Sequence, residues 1–376
     1  MTLLIIISVL FAVLLIFYAI LLHKYHKKFS SISEYEQKET PAVKISVVIP
    51  ARNEEKNIGA CIDAVRQQDL IAGNTEIIVV DDHSSDQTAS IASSKHATVI
   101  ALRDEDLDTT VAFKKAAIAT GIKYSKGDLI LTTDADCLVP PNWINVMSGV
   151  LKNTKALMVT GPVRMVPGNS LLSRFQSLDY AILQGITAAS VHSGYHDMSS
   201  GANLGYLKDA FYEVNGFEGI DDIATGDDML LMQKFSTKFP GRISYAFSRK
   251  AIVDTRPEET LGAFLHQRIR WASKARRYKD KKIFRILLLV YLINFCMLLF
   301  MLMAFISPTH FSFCLAAFML KTIVEWSFVN SILKFFSLQQ LMYLFPFIQP
   351  LHVIYTVISG TFGQLGAVEW KGRKVK

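Results

Sequence analysis

The apolar pattern divides the chain into two membrane-like ends and a patterned middle. Residues 3–22 are almost unbroken apolar sequence, long enough to cross a bilayer as one helix. Basic residues follow this stretch rather than precede it, and no small-residue cleavage pattern comes after it. It therefore reads as an uncleaved anchor and not as a signal peptide. Residues 30–41 are polar without a period and read as a linker. From Ile45 the pattern changes to short apolar runs between helix-period segments. Ile45-Ser46-Val47-Val48-Ile49 predicts a strand broken by Pro50, and Asn53 to Asn57 predicts a helix start, with Ile58, Ile62 and Val65 at helical spacing. Further strands are predicted at 76–80, 98–102, 129–132 and 156–160, and helices at 88–92, 113–124, 170–190, 208–213 and 259–274. Strands alternating with helices predict an α/β fold with a mostly parallel sheet covered on both faces. In such sheets ligands bind beyond the carboxyl ends of the strands.

Three hydrophobic segments of spanning length follow, at 283–306, 311–333 and 341–362. Lys321 and Glu325 stand four apart on the second, where pairing would lower their cost in lipid. Pro346 and Pro350 leave a kinked or re-entrant third segment open. The basic residues after the first span place the middle of the chain in the cytoplasm. Three full C-terminal spans would put the basic tail outside, so two or three spans remain open. The organisation expected is an anchor over 1–23, a linker over 24–43, a soluble domain with an interface helix over 44–282, membrane segments over 283–365 and a basic tail over 366–376.

Charge and cysteine content change little. The net charge of +7 is concentrated at 23–28, 268–282 and 371–376, beside hydrophobic segments. Anionic lipid explains that placement better than nucleic acid does, so no nucleic-acid partner is expected. The four cysteines, Cys61, Cys137, Cys296 and Cys314, show no paired spacing. Neither a disulfide framework nor a zinc site is indicated, and a reducing compartment fits.

The candidate chemistry lies where strands end. The run Leu129-Ile130-Leu131-Thr132 leads into Asp134-Ala135-Asp136. On a strand these two carboxylates point the same way, and a buried like-charged pair needs a counter-ion. A divalent cation holding a phosphate-bearing ligand meets that need, while a solvated turn is the plainer reading of the two residues alone. Two other strand ends, at Arg52-Asn53-Glu54 and Asp81-Asp82, are also polar or acidic, and their convergence points to a site.

Four ordered elements now resemble the family 2 glycosyltransferases, a group of membrane-bound polysaccharide synthases and lipid-linked sugar transferases. They are Val47-Val48-Ile49-Pro50-Ala51-Arg52-Asn53-Glu54, Val79-Val80-Asp81-Asp82-His83-Ser84-Ser85-Asp86, Asp134-Ala135-Asp136 and Gln267-Arg268-Ile269-Arg270-Trp271. The resemblance runs from about residue 45 to 271. It implies a GT-A-type domain with N- and C-terminal transmembrane helices and a nucleotide-diphosphate sugar donor, UDP- or GDP-linked. Glu54 and Asp82 would hold the nucleoside; helix capping for Glu54 and an Asx turn for Asp82 are the plain alternatives. Lys115 would lie near the diphosphate, or else be an exposed helix lysine.

Asp134 and Asp136 would bind Mg²⁺ or Mn²⁺. The acidic pair Asp227-Asp228 would be catalytic, with Asp228 the general base; capping of the helix that follows is the plain alternative, above all for Asp227. The family more often has Glu-Asp there. Gln267, Arg270 and Trp271 would sit at an interface helix, with Arg270 near the diphosphate and Trp271 beneath the acceptor; a membrane-surface anchor is the alternative. Asn203 lies in the loop before the acceptor helix. Two departures are plain: Leu207-Lys208 stands where paired arginines are common, and His83 stands where glycine is common.

The function implied is inverting sugar transfer to a lipid-linked or glycan acceptor in envelope glycan or glycolipid synthesis, at the inner membrane. A processive polysaccharide synthase is the main alternative, and a non-catalytic nucleotide-sugar-binding scaffold is a third.

Overall fold

The computed structural model describes residues 2–36, 43–68, 75–102, 113–221, 223, 226–273, 280–365, 368–370 and 373–375. Several sequence expectations fall outside these: residues 37–42 of the linker, Ala224 and Thr225 before the acidic pair, Lys274, and residues 366–367, 371–372 and 376 of the tail. In chain order the elements are α1 (Thr2–Ser30), β1 (Ile45–Ala51), α2 (Ile58–Arg66), β2 (Thr75–Asp81), α3 (Thr88–Ser94), β3 (Thr98–Ala101), α4 (Phe113–Tyr124), β4 (Leu129–Thr132) and α5 (Trp143–Thr154). There follow β5 (Met158–Thr160), β6 (Val163–Met165), α6 (Leu171–Ser193), β7 (Leu204–Leu207), α7 (Lys208–Glu213), α8 (Met229–Lys238), β8 (Ile243–Tyr245) and β9 (Val253–Thr255). The last are α9 (Leu261–Ser273), α10 (Lys281–Met303), α11 (Pro308–Phe335), α12 (Phe345–Leu365) and the short paired strands β10 (Val368–Trp370) and β11 (Arg373–Val375). Two compact units result. One takes residues 32–166 and 190–256 with the last two residues, and the other 1–31, 167–189 and 257–374.

The first unit is built on a seven-stranded sheet of order β3-β2-β1-β4-β7-β5-β8. The neighbours β3, β2, β1 and β4 run parallel, whereas β7 lies antiparallel between β4 and β5. Mostly parallel pairing fits the apolar runs, because a strand covered on both faces has no solvent side. Val47, Val48 and Ile49 are fully buried, as are Ile58, Ile62 and Val65 of α2. Helix α4 approaches β1 closely: a Cβ on Gly121 would lie 2.4 Å from Val48 Cγ1, so no larger residue fits there. The chain leaves β1 to one side for β2 and β3 and to the other for β4. That reversal puts the ligand crevice of such a sheet at the carboxyl ends of β1 and β4.

The second unit gathers four helices long and apolar enough to cross a membrane: α1, α10, α11 and the stretch Gln339–Leu365 that includes α12. Leu4, Ile7, Phe11 and Leu15 recur at helical spacing on α1 and pack with Ile293, Met297 and Phe300 of α10, Ala317 of α11 and Val353 of α12. The outward residues Ile5, Ile6, Val9, Val13, Ile16, Phe17 and Ile20 are apolar too. A helix apolar all round has the character of a membrane span. Helix α1 continues to Ser30, past the predicted end of the span, because Tyr25 and Phe29 extend the buried face onto Phe328, with ring centroids 6.4 and 5.9 Å apart.

A group of polar residues in the bundle is mutually paired. Lys321 Nζ lies 2.8 Å from Glu325 Oε1 and donates to Gln349 Oε1 at 2.6 Å. Gln349 Nε2 donates to Glu325 Oε2 at 2.7 Å, and Tyr18 Oη to Glu325 Oε1 at 2.6 Å. The pair seen in the sequence is thus one side of a closed ring across α11 and α12, to which Tyr18 of α1 adds a donor, and the group satisfies polar atoms that apolar surroundings cannot.

Helix α9 belongs with these helices. Phe264 packs edge-on against Tyr355 at 5.2 Å, and Gln364 Nε2 donates to the Ala272 carbonyl at 2.9 Å.

Candidate active site

At the crevice the first two strand–helix loops are stitched together. Asn53, at φ 53°, accepts at Oδ1 from the Ser85 amide, and its own amide donates to Ser84 Oγ. The Glu54 amide donates to Thr88 Oγ1 at 2.8 Å, and the Glu55 amide to Asp86 Oδ2 at 3.1 Å. A pair of loops held through their backbone amides forms a rigid rim for the side chains above it.

The aspartates past β4 do not follow strand alternation. The strand ends at Thr132, and the Cys137 amide donates to the Asp134 carbonyl at 3.0 Å, closing a turn. This turn, and not the pleat, brings the carboxylates together. Ligand atoms of Asp134, Asp136 and Cys137 all lie within 4.8 Å of one another. Lost hydration, then repulsion from Asp134 and Glu54, pushes the Asp136 carboxyl up to about 6.

Lys114 answers this negative charge. Its Nζ lies 2.8 Å from Asp134 Oδ1 and 3.1 Å from Asp227 Oδ2. Burial works against the ammonium, but Asp134 and Asp227 outweigh it and hold Lys114 protonated well beyond the usual lysine range. Gly201 keeps this junction open, since a Cβ there would lie 2.9 Å from Asp227 Oδ2 and 3.3 Å from Lys114 Nζ.

The structure redistributes several expected roles. Glu54 does come together with Asp134 and Asp136, close enough to raise the Asp136 carboxyl. Asp82 is buried, with Oδ1 2.9 Å from His83 Nδ1 and 3.6 Å from Arg52 Nη1. Its neighbour Asp81 accepts at Oδ2 from the Ser84 amide at 3.3 Å. The helix cap considered for Asp227 is made by Asp228, which accepts from the Met229 amide at 2.7 Å and from the Gly201 amide at 3.3 Å.

Two expected site residues are built into the core instead. Lys115 is 1% exposed and donates to the carbonyls of Ile220, at 2.5 Å, and Ile223, at 2.6 Å. It is not on the surface, and its neighbour Lys114 is the lysine that pairs with the acidic cluster. The helical phase carried the signal, because Lys115 shares the buried face of α4 with Ile118 and Ile122. Asn203 is fully buried: Nδ2 donates to the carbonyls of Pro162 and Ala251, and Oδ1 accepts from Trp143 Nε1, each at 2.8 Å. It is therefore a keystone of the sheet unit and not a surface for an acceptor.

Gln267, Arg270 and Trp271 lie on α9, in the other unit. Gln267 Nε2 donates to Glu258 Oε1 at 2.9 Å, and Arg270 is half-buried. The centre of this helix is Arg268, which the sequence reading passed over. Its guanidinium lies 4.3 Å from the Trp271 ring centroid and 5.0 Å from that of Phe264, with Nη2 3.0 Å from Asp179 Oδ2. Tyr355 Oη donates to Asp179 Oδ1 at 2.6 Å. Burial alone would raise the Asp179 carboxyl, but Arg268 and the hydrogen bonds hold it below the usual carboxylate range.

The residues past β4 fit a divalent ion. Asp134 and Asp136 converge, and a lysine ammonium already compensates one of them. Carboxylate oxygens are the donors that Mg²⁺ and Mn²⁺ prefer.

The mostly parallel sheet, with a crevice at its reversal and acidic strand ends around it, has a GT-A-like fold. Residues 46–214 match the family described as glycosyl transferase family 2. An N-acetylglucosaminyltransferase of Rhizobium leguminosarum bv. viciae is 26% identical over 270 residues, 67% of this chain and 61% of that protein. A poly-beta-1,6-N-acetyl-D-glucosamine synthase of Staphylococcus epidermidis is 28% identical over 246 residues, 64% of this chain and 56% of that protein. The chain thus spans about three-fifths of the length of these relatives. Among solved structures, a mannosyltransferase from Pyrobaculum calidifontis in complex with GDP-Man and Mn²⁺ shares the fold. Its TM-score is 0.55 at 15% identity, over 93% of this chain and 99% of that one.

Proposed function

We propose that the chain is a membrane-held, metal-assisted inverting glycosyltransferase. It would move a sugar from a nucleoside diphosphate to a lipid-linked or glycan acceptor on the cytoplasmic side of the membrane. The observation that carries this reading is the convergence of Glu54, Asp134, Asp136 and Asp227 at one crevice, compensated by Lys114. So many carboxylates at one point suit a cation and a hydroxyl-bearing substrate better than a purely structural role.

Glu54 and Asp82 would accept hydrogen bonds from the nucleoside, and Asp134 and Asp136 would hold Mg²⁺ or Mn²⁺. When bound, that ion supplies positive charge that stabilises the departing diphosphate. The acceptor oxygen forms its bond to the anomeric carbon on the face opposite the breaking carbon–oxygen bond, which inverts that centre. The acceptor proton passes to a carboxylate of the Asp227-Asp228 pair. Asp227 is favoured over the Asp228 of the sequence reading. Asp227 shares Lys114 with the metal pair, whereas both Asp228 oxygens accept backbone amides. Arg270 and Trp271 keep the donor and acceptor roles that the resemblance implies.

The test is donor profiling of the purified chain in detergent, with UDP- and GDP-sugars and either Mg²⁺ or Mn²⁺. Transfer that EDTA stops and the metal restores, and that Asp136→Asn abolishes without unfolding, is the expected result. Near-normal turnover in Asp136→Asn removes the mechanism. A processive synthase is the second reading, favoured by the likeness to a poly-N-acetylglucosamine synthase. Product length on a gel separates the two. Nucleotide-sugar binding without turnover across a panel of acceptors would leave only the scaffold reading.

A further inference from the structure

His83 adopts φ 55°, in the left-handed region that glycine enters freely and residues with a Cβ do not. A residue held in that region at a site is a pointer to use of its side chain. The neighbouring loop shows the same pattern: Asn53, at φ 53°, uses its side chain to tie the two loops together. The His83 imidazole has a different target, with Nδ1 2.9 Å from Asp82 Oδ1. Arg52 completes the grip, as its Nη1 donates to the Asp82 carbonyl at 2.9 Å and lies 3.6 Å from Oδ1. Asp82 is 4% exposed, while the His83 side chain keeps 30% of its surface exposed.

We propose that His83 is a positioning residue for the donor nucleotide, fixing the Asp82 carboxylate in the orientation that accepts a hydrogen bond from the nucleoside. The proposal rests on Asp82 serving the nucleoside, as proposed above. A carboxylate anchored through one oxygen by an imidazole N–H has fewer rotamers to lose when a ligand binds. Glycine at this position would relax the backbone and release the carboxylate. Binding and stability are therefore set against each other at residue 83, which a purely structural histidine would not do.

The experiment uses the full chain in detergent with Mn²⁺ and the probes UDP and GDP, followed by calorimetry, together with donor kinetics and thermal melting. His83→Gly is expected to bind its nucleotide about tenfold more weakly. Its donor KM should rise by a similar factor, kcat should fall less, and the melting midpoint should not drop. His83→Ala keeps the unfavourable φ without the imidazole, so it should show the same binding loss with a lower midpoint. Asp82→Ala should lose at least as much binding. Native affinity in His83→Gly beside lost affinity in Asp82→Ala overturns the role of His83 and leaves the donor reading standing. Native affinity in both variants, or no binding of either nucleotide by the unaltered chain, removes both. Equal losses of kcat and kcat/KM in His83→Gly also overturn the proposal.

Discussion

Lys114 Nζ sits 2.8 Å from Asp134 Oδ1, while the adjacent Lys115 points into the core and donates to two main-chain carbonyls. Consecutive lysines on one helix therefore have opposite duties, one electrostatic and one structural. Lys114→Met should cut turnover by about a hundredfold with little change in melting midpoint, since it removes fixed positive charge beside the proposed donor site. Lys115→Met should instead lower stability by about 2 kcal/mol, because the Ile220 and Ile223 carbonyls lose a buried donor. Parallel assays and thermal melts of the two variants check the assignment.

The acidic pair divides in a similar way. Asp227→Asn should reduce turnover by roughly two to four orders of magnitude at a near-native melting midpoint. Asp228→Ala should cost about 1 kcal/mol of stability through loss of the α8 cap. Asp228→Asn keeps an acceptor for the Met229 amide and should melt like the native chain. An inactive Asp228→Asn beside an active Asp227→Asn would return the proton-accepting role to Asp228.

Asp179 and Arg268 form a buried pair, and Asp179→Asn leaves the guanidinium without its counter-charge. The expected loss is about 3 kcal/mol at neutral pH. Because the folded-state carboxyl is held below its ordinary value, this stabilisation is complete above the ordinary carboxylate pKa of about 4. It disappears as pH falls through the lower, native value. The difference in melting midpoint between native and Asp179→Asn should therefore close as pH falls below about 4.

The ring of Lys321, Glu325 and Gln349, joined by Tyr18, predicts non-additivity. Lys321→Leu alone strands the Glu325 carboxylate in an apolar bundle and should destabilise it by about 3 kcal/mol. The double variant Lys321→Leu/Glu325→Leu should lose less than the single one. Denaturation in detergent micelles measures both.

Most of the sheet unit was legible because its signals are local. The apolar runs at 45–49 and 129–132, the helical spacing of Ile58, Ile62 and Val65, and the acidic strand ends each depend on a few consecutive residues. The Lys321–Glu325 pair was legible for the same reason, as four residues make one helical turn. The alternation argument for Asp134 and Asp136 gave the right neighbourhood by the wrong geometry, since the strand stops at Thr132 and a turn makes the approach. Lys115 was misplaced because motif position was weighed above helical phase. Arg268 was passed over because the motif drew attention to the residues on either side of it.

By itself the sequence determined where the membrane-like helices lie, that an α/β sheet stands between them, and which carboxylates end its strands. Those properties follow from hydrophobic period and from residue type. Only the tertiary structure decided that Lys114 compensates Asp134 and Asp227, that Asn203 is locked by Pro162, Ala251 and Trp143, and that His83 holds Asp82. The partners in these groups are separated along the chain by loops and whole elements, or, for His83, depend on one backbone angle. A linear pattern carries neither kind of information. The physical cause is that buried charge and hydrogen-bond capacity must be satisfied by whatever the fold brings near, and the fold is what sets the neighbours.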